Sequence, residues 1–399
     1  MNDVPPTAAA SPPTPAERHA SWLELFFDLV AVTGVAQIAH LLHGQPGLSA
    51  LSLYTLLFLA LWTAWICFTL YANVAGESTR TRTVLMAMFG MAVMAAAVPG
   101  VQEKDEVHAR VFAVAYVLTR MLANRAWQRR REVLVDWPAA QMSLGVVPWI
   151  VSLWAHDPLR YWLWALGIAL DLYVTFVVSA RAVLARRTGR GPSTEPLGGR
   201  GSGRGLAVAR SQAEHLNERL GLFVIIVLGE GVAQVIDAAS EAEWERRLGG
   251  LAVAAFLLLA ALWSLSFRHG YGGVCRPVEG VLPARAALPL HCLMSGCLAA
   301  LAAALGAAVG HLDELPDGTR WLMCSALSGY FLLSGLAWLP RGRRERHWLL
   351  AVALPCFALP LTLAALGPHL RTATLVGLLV LIVLWPTFYE HRRSKATAA

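Results

Sequence analysis

The chain has 399 residues, 56% of them hydrophobic and only 15% charged, and its apolar blocks recur from Trp22 almost to the end. That pattern excludes a soluble globular domain and describes a polytopic membrane protein whose first partner is the lipid bilayer. A formal charge of +7 does not imply a nucleic-acid partner here, because the basic residues sit in short stretches between apolar runs, where membrane topology explains them.

Residues 1–15, MNDVPPTAAASPPTP, contain no Lys, no Arg and no apolar core, so residues 1–20 are expected to form a flexible tail and not a secretory signal. At about 20 apolar residues per crossing, spans are predicted near 22–42, 49–71, 82–101, 107–127, 138–156 and 159–184. A Gly-, Pro- and Arg-rich stretch, RRTGRGPSTEPLGGRGSGRG, occupies 186–205 and reads as part of a cytoplasmic linker over 186–214. Six further spans are predicted near 215–239, 248–270, 286–310, 318–339, 346–367 and 371–390, before a basic tail at 391–399. The expected fold class is all-α, with about twelve transmembrane helices. An even number of spans puts both termini on one side. Arginine clusters crowd that side at 125–131, 341–346 and 391–395, whereas the acidic stretches VQEKDEV and HLDELPD lie opposite. Both termini are therefore expected to be cytoplasmic, in the cell membrane.

The tetrapeptide GVAQ occurs twice, ending at Gln37 and at Gln234. At the same offset Leu25, Phe26 and Val30 match Leu222, Phe223 and Val227 without a gap. ALW recurs at 60–62 and 261–263, and the order of such echoes is kept along the chain. The chain thus reads as duplicated, with a six-helix half at 21–185 and another at 215–390. Each half has an even number of spans, so the two would enter the membrane the same way round, an arrangement found in some secondary transporters.

An ionisable side chain inside a span costs roughly 2.5–3.5 kcal/mol at the centre on insertion scales, so it normally has a partner. At 1.5 Å per residue, Asp28 lies about 9 Å and Arg120 about 10 Å from the expected cytoplasmic ends of their spans. These two are expected to pair. Glu24, one turn away on the same face, would support Arg120 or meet Tyr71, Asn73 or His291. Such a cluster serves equally as a structural lock or as a working site. Asp171 and Glu230 lie deeper, each about 20 Å in, with no evident basic partner at that depth. An unpartnered acid in low dielectric tends to hold its proton, which makes both candidate proton carriers. Gly229 and Gly231 flank Glu230 and are expected to weaken the helix there. Gln37 and Gln234, at matching places in the repeat, would offer neutral hydrogen bonds to a substrate. His215, Glu218 and Arg219 open the seventh span, where anchoring at the interface is the simpler reading. His40, His43, His156, His311 and His369 fall at the opposite ends of spans. Cys67, Cys275, Cys292, Cys297, Cys324 and Cys356 show no CxxC pair and read as small apolar residues. No HExxH, P-loop, GxSxG or zinc spacing occurs, so no catalytic residue, metal or cofactor is expected.

The same stretches resemble the bacterial low temperature requirement A family of multi-span membrane proteins. ELFFDLVAV at 24–32 is similar to its opening signature, and HLNERLGLFVIIVLGEGV at 215–232 to its second. YAN at 71–73, AYVLTR at 115–120, ALDL at 169–172 and His291 in LPLHCLM support the resemblance. LSFRHG at 265–270 departs from it, since Arg268 and His269 replace an acid of the family pattern. The resemblance implies fold and location, but no chemistry. Two functions stand: a proton-coupled secondary transporter of an unknown small molecule, using Glu230 and Asp171; or a membrane sensor, head-group-binding protein or enzyme using the cluster around Glu24, Asp28, Arg120, Asn73 and His291.

Overall fold

The computed structural model describes residues 19–44, 46–130, 132–134, 137–141, 144–177, 207–268, 284–338, 348–367 and 370–398. The N-terminal tail up to residue 18, the stretch 178–206 with most of the linker, Cys275, His269, His369 and the basic cluster at 341–346 lie outside these residues. The described chain is helical apart from one short strand pair. Its α-helices are α1 (Trp22–Ala39), α2 (Leu48–Ala75), α3 (Thr81–Gln102), α4 (Glu106–Arg130), α5 (Val146–Val151) and α6 (Leu159–Val177). They continue as α7 (Ala213–Glu241), α8 (Arg246–Arg268), α9 (Ala284–Val309), α10 (Asp317–Trp338), α11 (Leu354–Leu366) and α12 (Thr372–Ala398). Strand β1 (Glu132–Leu134), after α4, pairs in parallel with β2 (Ala207–Ala209), before α7.

Seven of these helices are long and apolar enough to cross a membrane: α1 continued by a 3-10 turn to Leu42, then α2, α3, α7, α8, α9 and α12. Helices α4, α6 and α10 have 25, 19 and 22 residues. A 17-residue apolar helix at Leu350–Leu366 includes α11. The predicted fifth span does not form one helix. Residues 138–154 are broken into a 3-10 turn at Pro138–Gln141, the six-residue α5 and a second 3-10 turn at Ser152–Trp154. Six residues rise only about 9 Å, a third of the hydrocarbon core. Pro138 lacks a backbone N–H to propagate a helix, and Pro148 is confined to the first turn of α5. Pro99, by contrast, lies inside α3 without ending it.

Helix α1 begins where its sequence says it should. Ser21 caps it, with the Ser21 hydroxyl accepting from the Glu24 N–H at 3.3 Å and the Glu24 carboxylate accepting from the Ser21 N–H at 2.8 Å. This reciprocal pair satisfies two donors of the first turn and fixes the Glu24 side chain at the helix end. Helix α2 stops at Gly76, whose φ of +58° suits a residue without a Cβ.

Helix α1 packs on α2 and α3, and α3 packs on α4; likewise α7 packs on α8 and α9, and α9 packs on α10. Gly34 of α1 faces Leu61 of α2 and Ala95 of α3, while Gly231 of α7 faces Leu259 of α8 and Ala302 of α9. A Cβ at Gly34 would meet Leu61 at 2.8 Å, closer than side chains pack. Helices α1 and α2 also touch α7 and α9. The α1–α7 seam therefore lies within the protein, and it carries the buried polar groups Glu24, Asp28, His215 and Arg219.

Candidate functional site

Asp28 and Arg219 are both fully buried, on α1 and α7. Arg219 donates from Nε to Asp28 Oδ2 at 2.8 Å and from Nη2 to Asp28 Oδ1 at 2.5 Å, a two-pronged pairing that suits a planar guanidinium. Trp65 Nε1 donates to the same Oδ1 at 2.7 Å. Arg219 Nη1 lies 3.3 Å from Glu24 Oε1, and its guanidinium stands 6.0 Å over the Phe27 ring. His215 Nε2 lies 3.4 Å from Glu24 Oε2. On its other side, Asn73 Nδ2 meets His215 Nδ1 at 2.9 Å. An amide N–H only donates, so His215 Nδ1 accepts and its proton sits on Nε2, facing the acid. Asn73 also exchanges hydrogen bonds with the backbone of Gln212 at 2.7 and 3.0 Å. The end of α2 is thereby tied to the start of α7.

The expected pair of Asp28 with Arg120 does not form. Arg120 Nη2 instead donates to Asp171 Oδ2 at 2.9 Å and to the Ala139 carbonyl at 3.0 Å, and Nη1 points to Cys67 Sγ at 2.6 Å. Asp171, expected without a partner, is thus the counter-ion of Arg120. Gly145 and Gly167 let the broken fifth segment close over this pair. A Cβ on Gly145 would collide with the Asp171 carboxylate and the Gly167 carbonyl. Helix α2 separates the two ion pairs. Residues 65 and 67 point about 200° apart on a helix, so Trp65 serves Asp28 on one side while Cys67 faces Arg120 on the other. Cys67 is accordingly more than an apolar filler.

His291 packs beside the first group, its ring stacked on Trp65 at 6.0 Å. Trp62 Nε1 donates to His291 Nδ1 at 3.3 Å, and His291 Nε2 donates to the Leu220 carbonyl at 3.1 Å. Both contacts demand the neutral Nε2–H tautomer. The ring sits among Trp62, Trp65 and Phe223. Tyr71 is buried with its ring edge-on to Trp127 at 6.0 Å, which makes it part of the packing. Glu218 is half-buried, accepting from the Ala20 N–H at 3.2 Å, 3.7 Å from His19.

Glu230 lies toward the other end of α7, and the helix runs unbroken through Gly229 and Gly231. Each glycine keeps helical geometry there. Glu230 is half-buried and accepts from Gln234 Nε2 at 3.3 Å. Gln234 Oε1 faces His43 Nε2 at 3.5 Å, and His43 Nδ1 meets His40 Nδ1 at 3.2 Å. Gln37 is half-buried on α1 and is not a member of this chain of contacts among the described residues. Glu230 and Asp171 are not brought together: one belongs with Gln234 and His43, the other with Arg120. Among the described residues no group of three or more His, Cys, Asp or Glu side chains is placed to hold a metal.

A sequence model of the bacterial low temperature requirement A protein (LtrA) matches residues 19–396, nearly the whole chain. The chain belongs to the LtrA family. No curated protein matches it. Both stretches that resemble LtrA signatures meet in space, since ELFFDLVAV carries Glu24 and Asp28 and HLNERLGLF carries His215 and Arg219. The groups missed in the sequence are Ser21, Trp62, Trp65 and Cys67. Ser21 was legible as the first residue of a Ser-x-x-Glu capping box. The three others are apolar letters in an apolar span, and only their neighbours make them polar partners.

Proposed function

We propose that this LtrA-family protein is a proton-coupled secondary transporter with about twelve spans in two parallel-repeated halves, 21–185 and 215–390, and both termini cytoplasmic. One observation carries the reading: buried charges join the first helix of one half to the first helix of the other, through Asp28 and Glu24 on α1 and Arg219 and His215 on α7. A lock across the seam between two repeats is what alternating access requires. The repeated packing of α1 on α3 and α7 on α9, with Gly34 and Gly231 in matching places, supports the duplication. Glu230 remains the group that carries the proton, with Gln234 beside it. Asp171 holds Arg120 in place and takes no proton from the substrate side. Gln37 stays a candidate for a neutral substrate contact, and the substrate is a small molecule of undetermined class.

A head-group-binding or enzymatic site in the same cluster is less well supported. Arg219 and Arg120 are each turned onto a carboxylate, so neither guanidinium faces outward to take an anion. Proteoliposomes containing the full chain and an internal pH dye, challenged with panels of amino acids, sugars and organic cations, test the proposal. Substrate-dependent proton movement that is lost in Glu230→Gln is expected. Equal movement in wild type and Glu230→Gln refutes the proton role, and no protein-dependent movement with any panel member refutes the transporter.

A further inference from the structure

The hydrogen bonds around Glu230 have directions that chemistry alone can assign. An ionised carboxylate only accepts, so Gln234 turns its Nε2 toward Glu230 and its Oε1 toward His43. That oxygen only accepts, so His43 carries its proton on Nε2. In a neutral ring the other nitrogen then accepts, and His40 must donate from Nδ1 across the 3.2 Å contact. Three donors in series thus point inward to Glu230, beginning at His40, which is exposed. Glu230 lies seven residues inside Asp237 on α7, about 10 Å along the helix, so the chain leads from solvent to depth. It also crosses the seam: His40 and His43 follow α1, and Gln234 and Glu230 belong to α7.

We propose that His40 and His43 are the proton port of Glu230, and that the side-chain amide of Gln234 couples them; this rests on the reading of Glu230 as the proton carrier. A protonated Glu230 has an O–H to place, and a half-turn of the Gln234 amide presents Oε1 to accept it. The amide turns over, its N–H then faces His43 Nε2, and that nitrogen accepts only if the ring carries its proton on Nδ1. His43 Nδ1–H in turn needs His40 Nδ1 as acceptor, so His40 holds its proton on Nε2, toward solvent. The change balances. One proton from solution forms an N–H at His40 Nε2; the N–H bonds at His40 Nδ1 and His43 Nε2 break; an N–H forms at His43 Nδ1; at Gln234 an O–H forms on Oε1 as an N–H of Nε2 breaks to form the O–H on Glu230, and the proton on Oε1 returns to Nε2 to restore the amide before it turns. The 3.5 Å contact between Gln234 and His43 is long for a hydrogen bond, which suits a link that must break each time the amide turns. Gly306 of α9 lies against Gln234, where a Cβ would approach the Gln234 Cβ at 3.2 Å.

The other charged group acting on His43 is Asp237, further along α7. On the side of α10, Thr319 donates to the Gly44 carbonyl at 2.9 Å, and Asp317 is taken up by Arg320 at 2.6 Å. Neither supplies a competing proton to His43.

Nitrogen-15 NMR of the histidines in full-length protein in nanodiscs tests the coupling without any transport assay. The His43 signals are assigned by their loss in His43→Gln. In wild type, His43 is expected as the Nε2–H tautomer while Glu230 is ionised and as the Nδ1–H tautomer once Glu230 is protonated. In Gln234→Leu that preference is lost, and the His43 titration midpoint falls by about half a unit, the scale of one lost hydrogen bond. Glu230→Gln is expected to move the midpoint in an otherwise wild-type chain and to have no further effect in Gln234→Leu. An equal effect of Glu230→Gln with and without Gln234 means plain charge repulsion through space and overturns the proposal. So does a His43 that keeps one tautomer whether Glu230 is ionised or protonated, or one indifferent to Glu230. These results do not depend on finding a substrate, so a failed transport assay and a failed coupling are separately visible.

Discussion

Arg219→Gln is the most informative single substitution in the seam. Arg219 is the counter-ion of Asp28 and lies 3.3 Å from Glu24. Its loss leaves two acids in a buried site, where orphaning one partner of an ion pair costs about 3–5 kcal/mol. Asp28→Asn removes less, because Arg219 keeps Glu24 and Trp65 still finds an amide oxygen; about 1–3 kcal/mol is expected. The order matters more than the values. Adding Asp28→Asn to Arg219→Gln should recover about 1–3 kcal/mol, since the orphaned carboxylate is gone and contacting residues couple by that much. Unfolding of the purified protein in mixed micelles of rising SDS fraction, followed by tryptophan fluorescence, measures all three variants. A double variant less stable than Arg219→Gln alone, or costs that simply add, would show that Asp28 and Arg219 do not act as a pair.

In the same assay Arg120→Gln should be partly rescued by Asp171→Asn and not by Asp28→Asn; rescue by Asp28→Asn would reinstate the pairing expected from depth alone. Gly145→Ala should destabilise by about 1–3 kcal/mol through overpacking against Asp171 and Gly167, and a neutral effect would mean that the broken fifth segment is not held closed over the ion pair. Ser21→Ala should cost about 1 kcal/mol as a lost cap, whereas Ser21→Thr, which keeps a hydroxyl to accept from the Glu24 N–H and donate to its carboxylate, should cost much less; equal losses in both would argue against the capping box. Reporter fusions at residue 10, after Arg190 and after residue 399 should all report cytoplasm, and a fusion that reports the other side at any of them refutes the proposed topology.

Depth along a helix is legible in a sequence, but direction around it is not. Asp28 and Arg120 have nearly the same depth, which makes them plausible partners on paper. In the fold α2 stands between them and gives each a different neighbour. Asp171, about 20 Å deep when counted from residue 184, nonetheless meets Arg120, so depth counted along a span does not fix which partner a buried acid finds. Glu24 was legible in kind, because Ser-x-x-Glu before an apolar run announces a helix start. Its second task, facing His215 and Arg219 nearly two hundred positions away, required the α1–α7 contact. Family membership and the apolar helices were readable from the letters, while partner identity was not.

The two ends of the α1–α7 seam differ in strength, and that difference bears on how such a protein moves. Near the N-terminus of α1 the seam is held by buried charges whose separation leaves an unpaired ion at about 3–5 kcal/mol. Near its C-terminus the described link is neutral, the 3.5 Å contact of His43 with Gln234, and a neutral hydrogen bond contributes about 0.5–1.5 kcal/mol. Thermal motion therefore opens the histidine end far more often than the charged end. In the alternating access proposed above, the charged end opens only if proton or substrate binding elsewhere favours the open state by at least that cost, because a ligand shifts a conformational equilibrium only by binding one state better than the other.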